Sequence, residues 1–162
     1  MLRKHSNVKG ETTRTTLIEA AENLIAERGL ENVTLRQIGE AVGSDNNGVV
    51  SYYFGTKAGL LRAIYEHRIP ALEARRSELL DHADRAGLGN DVLALLFALW
   101  VPILEQRNAN GRASYVGFLS STANSPLIST RFLSRSYRST SEIADRLQRM
   151  TQLPDELFWQ RY

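Results

Sequence analysis

A chain of 162 residues, 43% hydrophobic and 23% charged, has globular composition with material for one compact core, or for a small module joined to a larger one. The absence of cysteine excludes disulfide frameworks, thiolate metal sites and cysteine nucleophiles, and fits a reducing, cytoplasmic setting. A net charge of +2 marks no strongly charged partner. The longest apolar run, Val92 to Leu104, falls short of the roughly 20 residues a membrane helix needs, so no membrane attachment is expected.

The first residues, Met1 to Gly10, are polar and carry Arg3, Lys4 and Lys9 without an acid. They read as a flexible basic arm over 1–11, able to follow a phosphate backbone or simply to stay solvated. Thr12 or Thr13 is the expected cap of a first helix. Leu17, Ala20, Ala21, Leu24 and Ile25 give it an apolar face, and Gly29 ends it. Thr34 and Gln37 have capping-box spacing, which starts a short second helix with Leu35, Ile38, Ala41 and Val42 inward.

The run Gly43-Ser44-Asp45-Asn46-Asn47-Gly48 is a cluster of turn formers. Val49 to Phe54 follows, a segment that β-propensity alone favours as a strand. Thr56 then caps a further helix with Leu60, Leu61 and Ile64 inward. Helix, tight turn and a second short helix with polar and aromatic residues is the layout of a helix-turn-helix, whose second helix reads base edges in the major groove.

Thr34-Leu35-Arg36-Gln37-Ile38 through Ala41, then Tyr53-Phe54-Gly55-Thr56-Lys57 and Leu60-Leu61, resembles the DNA-binding signature of the TetR family of transcriptional regulators. The resemblance covers roughly residues 12 to 65. It departs from the commonest family pattern in a longer turn, the excess falling near Asp45 to Asn47. The resemblance implies an all-α protein: a three-helix helix-turn-helix module over 12–56, then a helical ligand-sensing and dimerisation bundle over 57–162. It also implies a repressor acting as a homodimer on double-stranded operator DNA under the control of a small-molecule effector.

By that resemblance Lys57 contacts a phosphate, and Tyr53 buries its ring while its hydroxyl reaches another. The plain alternatives are a solvated lysine and a core tyrosine. Ser51 and Tyr52 are candidates for base or sugar contact. Asn46 and Asn47 are either amide readers of adenine or turn formers. Thr34 is able to donate to a phosphate as well as cap, and Arg36 faces either the groove or solvent. Phe54, Val50, Leu24 and Ile38 are assigned to the core.

In the C-terminal part, Pro70 is expected to kink or break the helix that Thr56 starts. Asn90 or Asp91 caps the next helix, which is apolar on all sides from Val92 to Leu104 and is therefore expected to be buried all round. Pro102 should free the Ala98 carbonyl for another partner. Helices are further expected from Arg112 to Ser121 and from Pro126 to Met150, the second with Leu127, Ile128, Phe132, Leu133, Ile143 and Leu147 inward. Phe97, Trp100, Tyr115, Phe118 and Tyr137 are candidate pocket walls, though any one of them is more simply ordinary core.

Arg131, Arg135 and Arg138 form a basic stripe that reads as a solvated face. Leu153-Pro154-Asp155-Glu156 looks like a fresh helix start ending at Tyr162, where the family continues with a final helix pair, so the sensing part reads as C-terminally incomplete. The histidines His5, His67 and His82 stand apart, and no metal, cofactor or catalytic constellation is read from the sequence. The rival to a DNA-binding regulator is an all-helical small-molecule adaptor with a vestigial helix-turn-helix.

Overall fold

The computed structural model describes residues 2–46, 48–108, 110–127 and 137–152, with the side chains of 2–9 left aside. Among the described residues the elements are helices α1 (Leu2–Arg28), α2 (Leu35–Ala41), α3 (Val49–Phe54), α4 (Lys57–Arg85), α5 (Val92–Glu105), α6 (Ser114–Thr122) and α7 (Arg138–Thr151). A 3-10 turn, Leu30–Asn32, follows α1. The protein is all-helical there, as the resemblance implies.

Helix α1 begins earlier than expected. Thr12 and Thr13 are interior to it, and the backbone of the segment read as a flexible arm is helical from Leu2. Gly10 is the weakest helix former close to that point, and one glycine costs only about 1 kcal/mol in a helix. Thr16 Oγ1 donates to the Thr12 carbonyl at 2.9 Å, a bond made within a continuing helix rather than at a cap. The other end is as read: Gly29 has φ +81° and its amide donates to the Ile25 carbonyl at 2.9 Å.

Two compact units divide the chain, Met1–Arg68 with Gln106–Ile128 and Ile69–Glu105 with Ser129–Tyr162. The first groups α1 to α3 and the start of α4 with α6. Its core holds Leu17, Ile18, Ala21, Ile25, Ile38, Val50, Leu60, Leu61, Ile64, Tyr115 and Phe118. Phe54 and Leu24, assigned to the core from sequence, are only partly buried. The Arg14 guanidinium covers the Phe54 ring, 5.5 Å from its centroid.

Helix α6 lies on α1. A Cβ at Gly117 would stand 2.9 Å from the Ala26 Cβ, so only glycine allows this approach. Polar groups fix the same contact. Arg68 donates from Nε to Glu22 Oε2 at 2.7 Å and from Nη2 to Glu22 Oε1 at 2.8 Å, and Ser114 Oγ donates to Oε1 at 2.5 Å. Glu22 is fully buried and Arg68 nearly so. Asn108 Nδ2 donates to Asn23 Oδ1 at 2.6 Å, and Arg112 reaches Glu27 at 3.0 Å nearer the surface.

In the second unit, Leu80 of α4, Leu95, Ala98 and Leu99 of α5, and Ile143, Ala144 and Leu147 of α7 make the core. Asp91 caps α5, its Oδ1 accepting from the Ala94 amide at 2.9 Å. The Glu73 carboxylate accepts from the backbone amides of Ser139 and Thr140 at the start of α7. It therefore satisfies donors that the helix itself leaves unpaired.

Several expectations change here. Pro70 lies inside α4, at an exposed position, and does not end it. Pro102 likewise stays within α5. The carbonyl taken up beside it belongs to Leu99, which accepts from Arg76 Nε at 3.3 Å and Nη2 at 3.1 Å. Helix α6 starts at Ser114, not Arg112.

The last described helix starts at Arg138 with Tyr137 at its N-cap; Pro126 sits in a turn. Ile128, Arg131, Phe132, Leu133, Arg135 and the segment from Leu153 to Tyr162 lie outside the described residues. Helix α5 is not buried all round, because it packs one face on α7 and leaves Leu93, Phe97, Trp100 and Leu104 exposed. No helix among the described residues is long and apolar enough to cross a membrane.

Candidate nucleic-acid interface

The bracing helix α2 is built on its cap. Thr34 Oγ1 accepts from the Gln37 amide at 3.3 Å, and Gln37 Oε1 accepts from the Thr34 amide at 2.8 Å, the reciprocal pair of a capping box. Gln37 Oε1 also takes the Thr34 hydroxyl at 3.0 Å. Ile38 and Gly39 face inward. Gly39 sets the spacing to α3, since a Cβ there would meet Val49 Cγ1 at 3.2 Å and the Asn46 carbonyl at 3.8 Å.

The turn between α2 and α3 is made by its own residues. Gly43 takes φ +70°, and its amide and that of Ser44 donate back to the Glu40 and Gly39 carbonyls at 3.0 and 3.1 Å. Asn46 then closes it. Its amide donates to Ser44 Oγ at 3.2 Å, its Oδ1 accepts from the Gly48 amide at 2.9 Å, and its carbonyl accepts from the Val49 amide at 3.1 Å. Of the two readings for Asn46, turn former is the one the geometry displays. Its carboxamide oxygen is engaged there. Asn47 lies outside the described residues.

Helix α3 is a helix, not a strand: aromatic and β-branched residues lose to the turn that starts it and to Val50, which is fully buried beneath it. Its outer face carries Ser51, exposed, and Tyr52, whose ring is 81% exposed. Tyr53 is partly buried and stands edge-on to Tyr52, ring centroids 5.2 Å apart. Its hydroxyl lies beside α1, 3.9 Å from where a Gly10 Cβ would be.

Thr56 caps α4 as predicted, its Oγ1 accepting from the Gly59 amide at 3.1 Å. Lys57 is partly buried, and its ammonium donates to the Leu30 carbonyl at 2.6 Å. Sequence reasoning missed this bond because its partners are 27 residues apart. Arg36 is exposed and pairs with Glu40 one turn on, Nε to Oε1 at 2.7 Å, and that hydrogen bond holds its pKa above the ordinary arginine value.

Thr34, Arg36, Asn46, Ser51, Tyr52, Tyr53 and Lys57 thus all belong to the α2-turn-α3 region and the first turn of α4. The five candidate pocket walls divide between the two units. Tyr115 and Phe118 are buried in the first unit with Tyr65, the rings 5.1 to 6.4 Å apart. Tyr65 Oη and Thr122 Oγ1 share a hydrogen bond of 2.9 Å, and burial pushes the Tyr65 phenol above its ordinary pKa. Phe97, Trp100 and Tyr137 belong to the second unit, the first two with exposed rings.

A short capped helix, a turn closed by its own glycine and asparagine, and a six-residue helix showing Ser51 and Tyr52 outward define a helix-turn-helix protein. Residues 17–64, which span the helix-turn-helix, match the family model described as bacterial regulatory proteins, tetR family. Over 96 residues it is 31% identical to the HTH-type transcriptional regulator TtgR of Pseudomonas putida, covering 58% of this chain and 45% of the relative. Over 81 residues it is 38% identical to the HTH-type transcriptional regulator BetI of Burkholderia mallei, covering 48% of this chain and 41% of that protein. The matches span less than half the length of these relatives.

Proposed function

We propose that this protein is a sequence-specific DNA-binding transcriptional regulator, a repressor controlled by a small molecule, which reads operator DNA through α3 as a pair of copies. The observation that carries the reading is the outward face of α3, where Ser51 and the exposed Tyr52 stand on a helix braced by the one that the Thr34–Gln37 capping box starts.

In this reading most contacts go to phosphates and fix register, and a few choose sequence. Ser51 and Tyr52 are the readers, joined by Asn47. Thr34, Arg36, Tyr53 and Lys57 hold the backbone, Lys57 exchanging the Leu30 carbonyl for a phosphate or spanning both. Asn46 acts through the turn that places α3. Two copies would address half-sites about one helical turn, or a multiple of it, apart.

Effector control falls to the helices beyond α3. Tyr115 and Phe118 keep a place in it, since Tyr115 lies under the Arg68 guanidinium, 5.9 Å from its ring centroid, and Arg68 holds Glu22 of α1. A ligand displacing either ring would disturb the helix that supports the DNA-binding module. Such a ligand must bind the two states with different affinity to shift them. A cytoplasmic location and the absence of catalysis belong to the same reading.

The test is footprinting of the purified protein on duplex DNA flanking its own coding region. A protected segment with paired half-sites is expected. Protection indifferent to sequence, or none, would favour the helical adaptor with a vestigial helix-turn-helix.

A further inference from the structure

Arg14 of α1 is a cation that holds no acid. Among the described residues its guanidinium makes neither an ion pair nor a hydrogen bond, and it rests on the Phe54 ring, 5.5 Å from the centroid. Glu11, exposed and three residues earlier on the same helix, leaves it unpaired. By contrast Arg36, Arg68, Arg75, Arg112 and Arg146 each hold a carboxylate.

The Tyr53 phenol beside it is in the same condition. Its ring is tilted against Phe54, centroids 6.2 Å apart, and its hydroxyl makes no hydrogen bond among the described residues. Gly10, one helical turn before Arg14, faces that hydroxyl without a side chain. Both residues are only partly buried, and no buried side-chain donor lacks a partner among the described residues, so each still touches water.

Two donors without an acceptor in their own chain thus flank Phe54, the last residue of α3, and Lys57 opens α4 three residues on. A guanidinium laid on a ring keeps its N–H edge open, and that planar fork matches two oxygens of a phosphate. The ring also holds the side chain in place beforehand, so less freedom is lost when an anion arrives. Covering Phe54 is a smaller role, since it leaves the N–H groups unused.

We propose that Arg14 is a DNA-backbone contact: its face rests on Phe54 while its edge grips a phosphate beside the C-terminal end of α3. The proposal rests on the operator-binding reading above and extends it to a residue of α1 which that reading leaves out.

The experiment is binding isotherms of the full chain at several salt concentrations, on duplex DNA flanking its own coding region and on an unrelated duplex. Wild type, Arg14→Met and Arg14→Lys are compared, with denaturant unfolding of each. Methionine keeps an apolar cover on Phe54, so the unfolding midpoint should stay near wild type. Binding should weaken roughly tenfold on both duplexes alike, as for a lost hydrogen bond to a charged group, and the salt slope should fall by about one. Arg14→Lys keeps the charge without the fork, so it should hold the wild-type slope at intermediate affinity.

A wild-type slope in Arg14→Met, or a loss confined to one duplex, would overturn the proposal while operator binding stands. A wild type that binds neither duplex would overturn the operator reading, and this proposal with it. Should the methionine variant unfold, Arg14→Gln removes the same charge and is judged on the same slope.

Discussion

Arg68 and Glu22 form a bidentate ion pair at 2.7 and 2.8 Å with both side chains out of solvent, tying α4 to α1 across 46 residues of sequence. Ser114 of α6 donates to the same carboxylate, so three helices meet on one buried charge. Removing one partner leaves the other charge buried and uncompensated. Glu22→Ala or Arg68→Ala should therefore cost about 3–5 kcal/mol in denaturant unfolding. The paired replacement Glu22→Leu with Arg68→Met should recover most of that loss, because an apolar pair of similar volume often matches a buried ion pair.

Gly117 lets α6 approach α1, with Ala26 2.9 Å from where a Cβ would stand. Gly117→Ala gains helix propensity but forces the two backbones apart. We expect a net loss of about 1–3 kcal/mol by thermal unfolding, typical of overpacking at a tight contact. A stabilised variant would show that the contact gives way without cost.

Phe54 is partly buried, with one face under Arg14. Phe54→Ala should cost about 2–3 kcal/mol, below the range for a fully enclosed ring. Arg14→Ala should cost no more than about 1 kcal/mol. Unfolding titrations of both variants check the order.

Lys57 joins the start of α4 to the 3-10 turn that follows α1, through the Leu30 carbonyl. Lys57→Ala should lose about 1–2 kcal/mol of stability, as for a charge-assisted hydrogen bond. It should also weaken binding to all DNA sequences alike and lower the salt slope by about one. An unchanged slope would confine Lys57 to the structural role.

Tyr52 is 81% exposed and its ring meets that of Tyr53 edge-on, so Tyr52→Ala should keep the fold and change the preference among DNA sequences. A selection experiment on randomised duplexes compares the two. A uniform loss across sequences would remove Tyr52 as a reader.

Much of the helix-turn-helix module is legible in the sequence because its signals are local. The Thr34–Gln37 box, the Gly29 stop and the Thr56 cap each act within a few residues, and each forms as read. The start of α1 is misplaced by such reading because threonines that resemble caps are tolerated inside a helix. In the C-terminal part, α5 has no polar face to mark which side meets solvent, so its pattern reads as complete burial. The Glu22–Arg68–Ser114 group is invisible for another reason: its members are 46 and 92 residues apart, and no spacing rule joins them.

The central claim, that the α3 face binds operator DNA, is tested most directly by binding isotherms on a footprinted duplex and a scrambled one at several salt concentrations. Tighter binding to the footprinted duplex is expected, with a linear fall of log affinity with log salt as phosphate contacts release counterions. Equal, weak and salt-insensitive binding to both duplexes would contradict it.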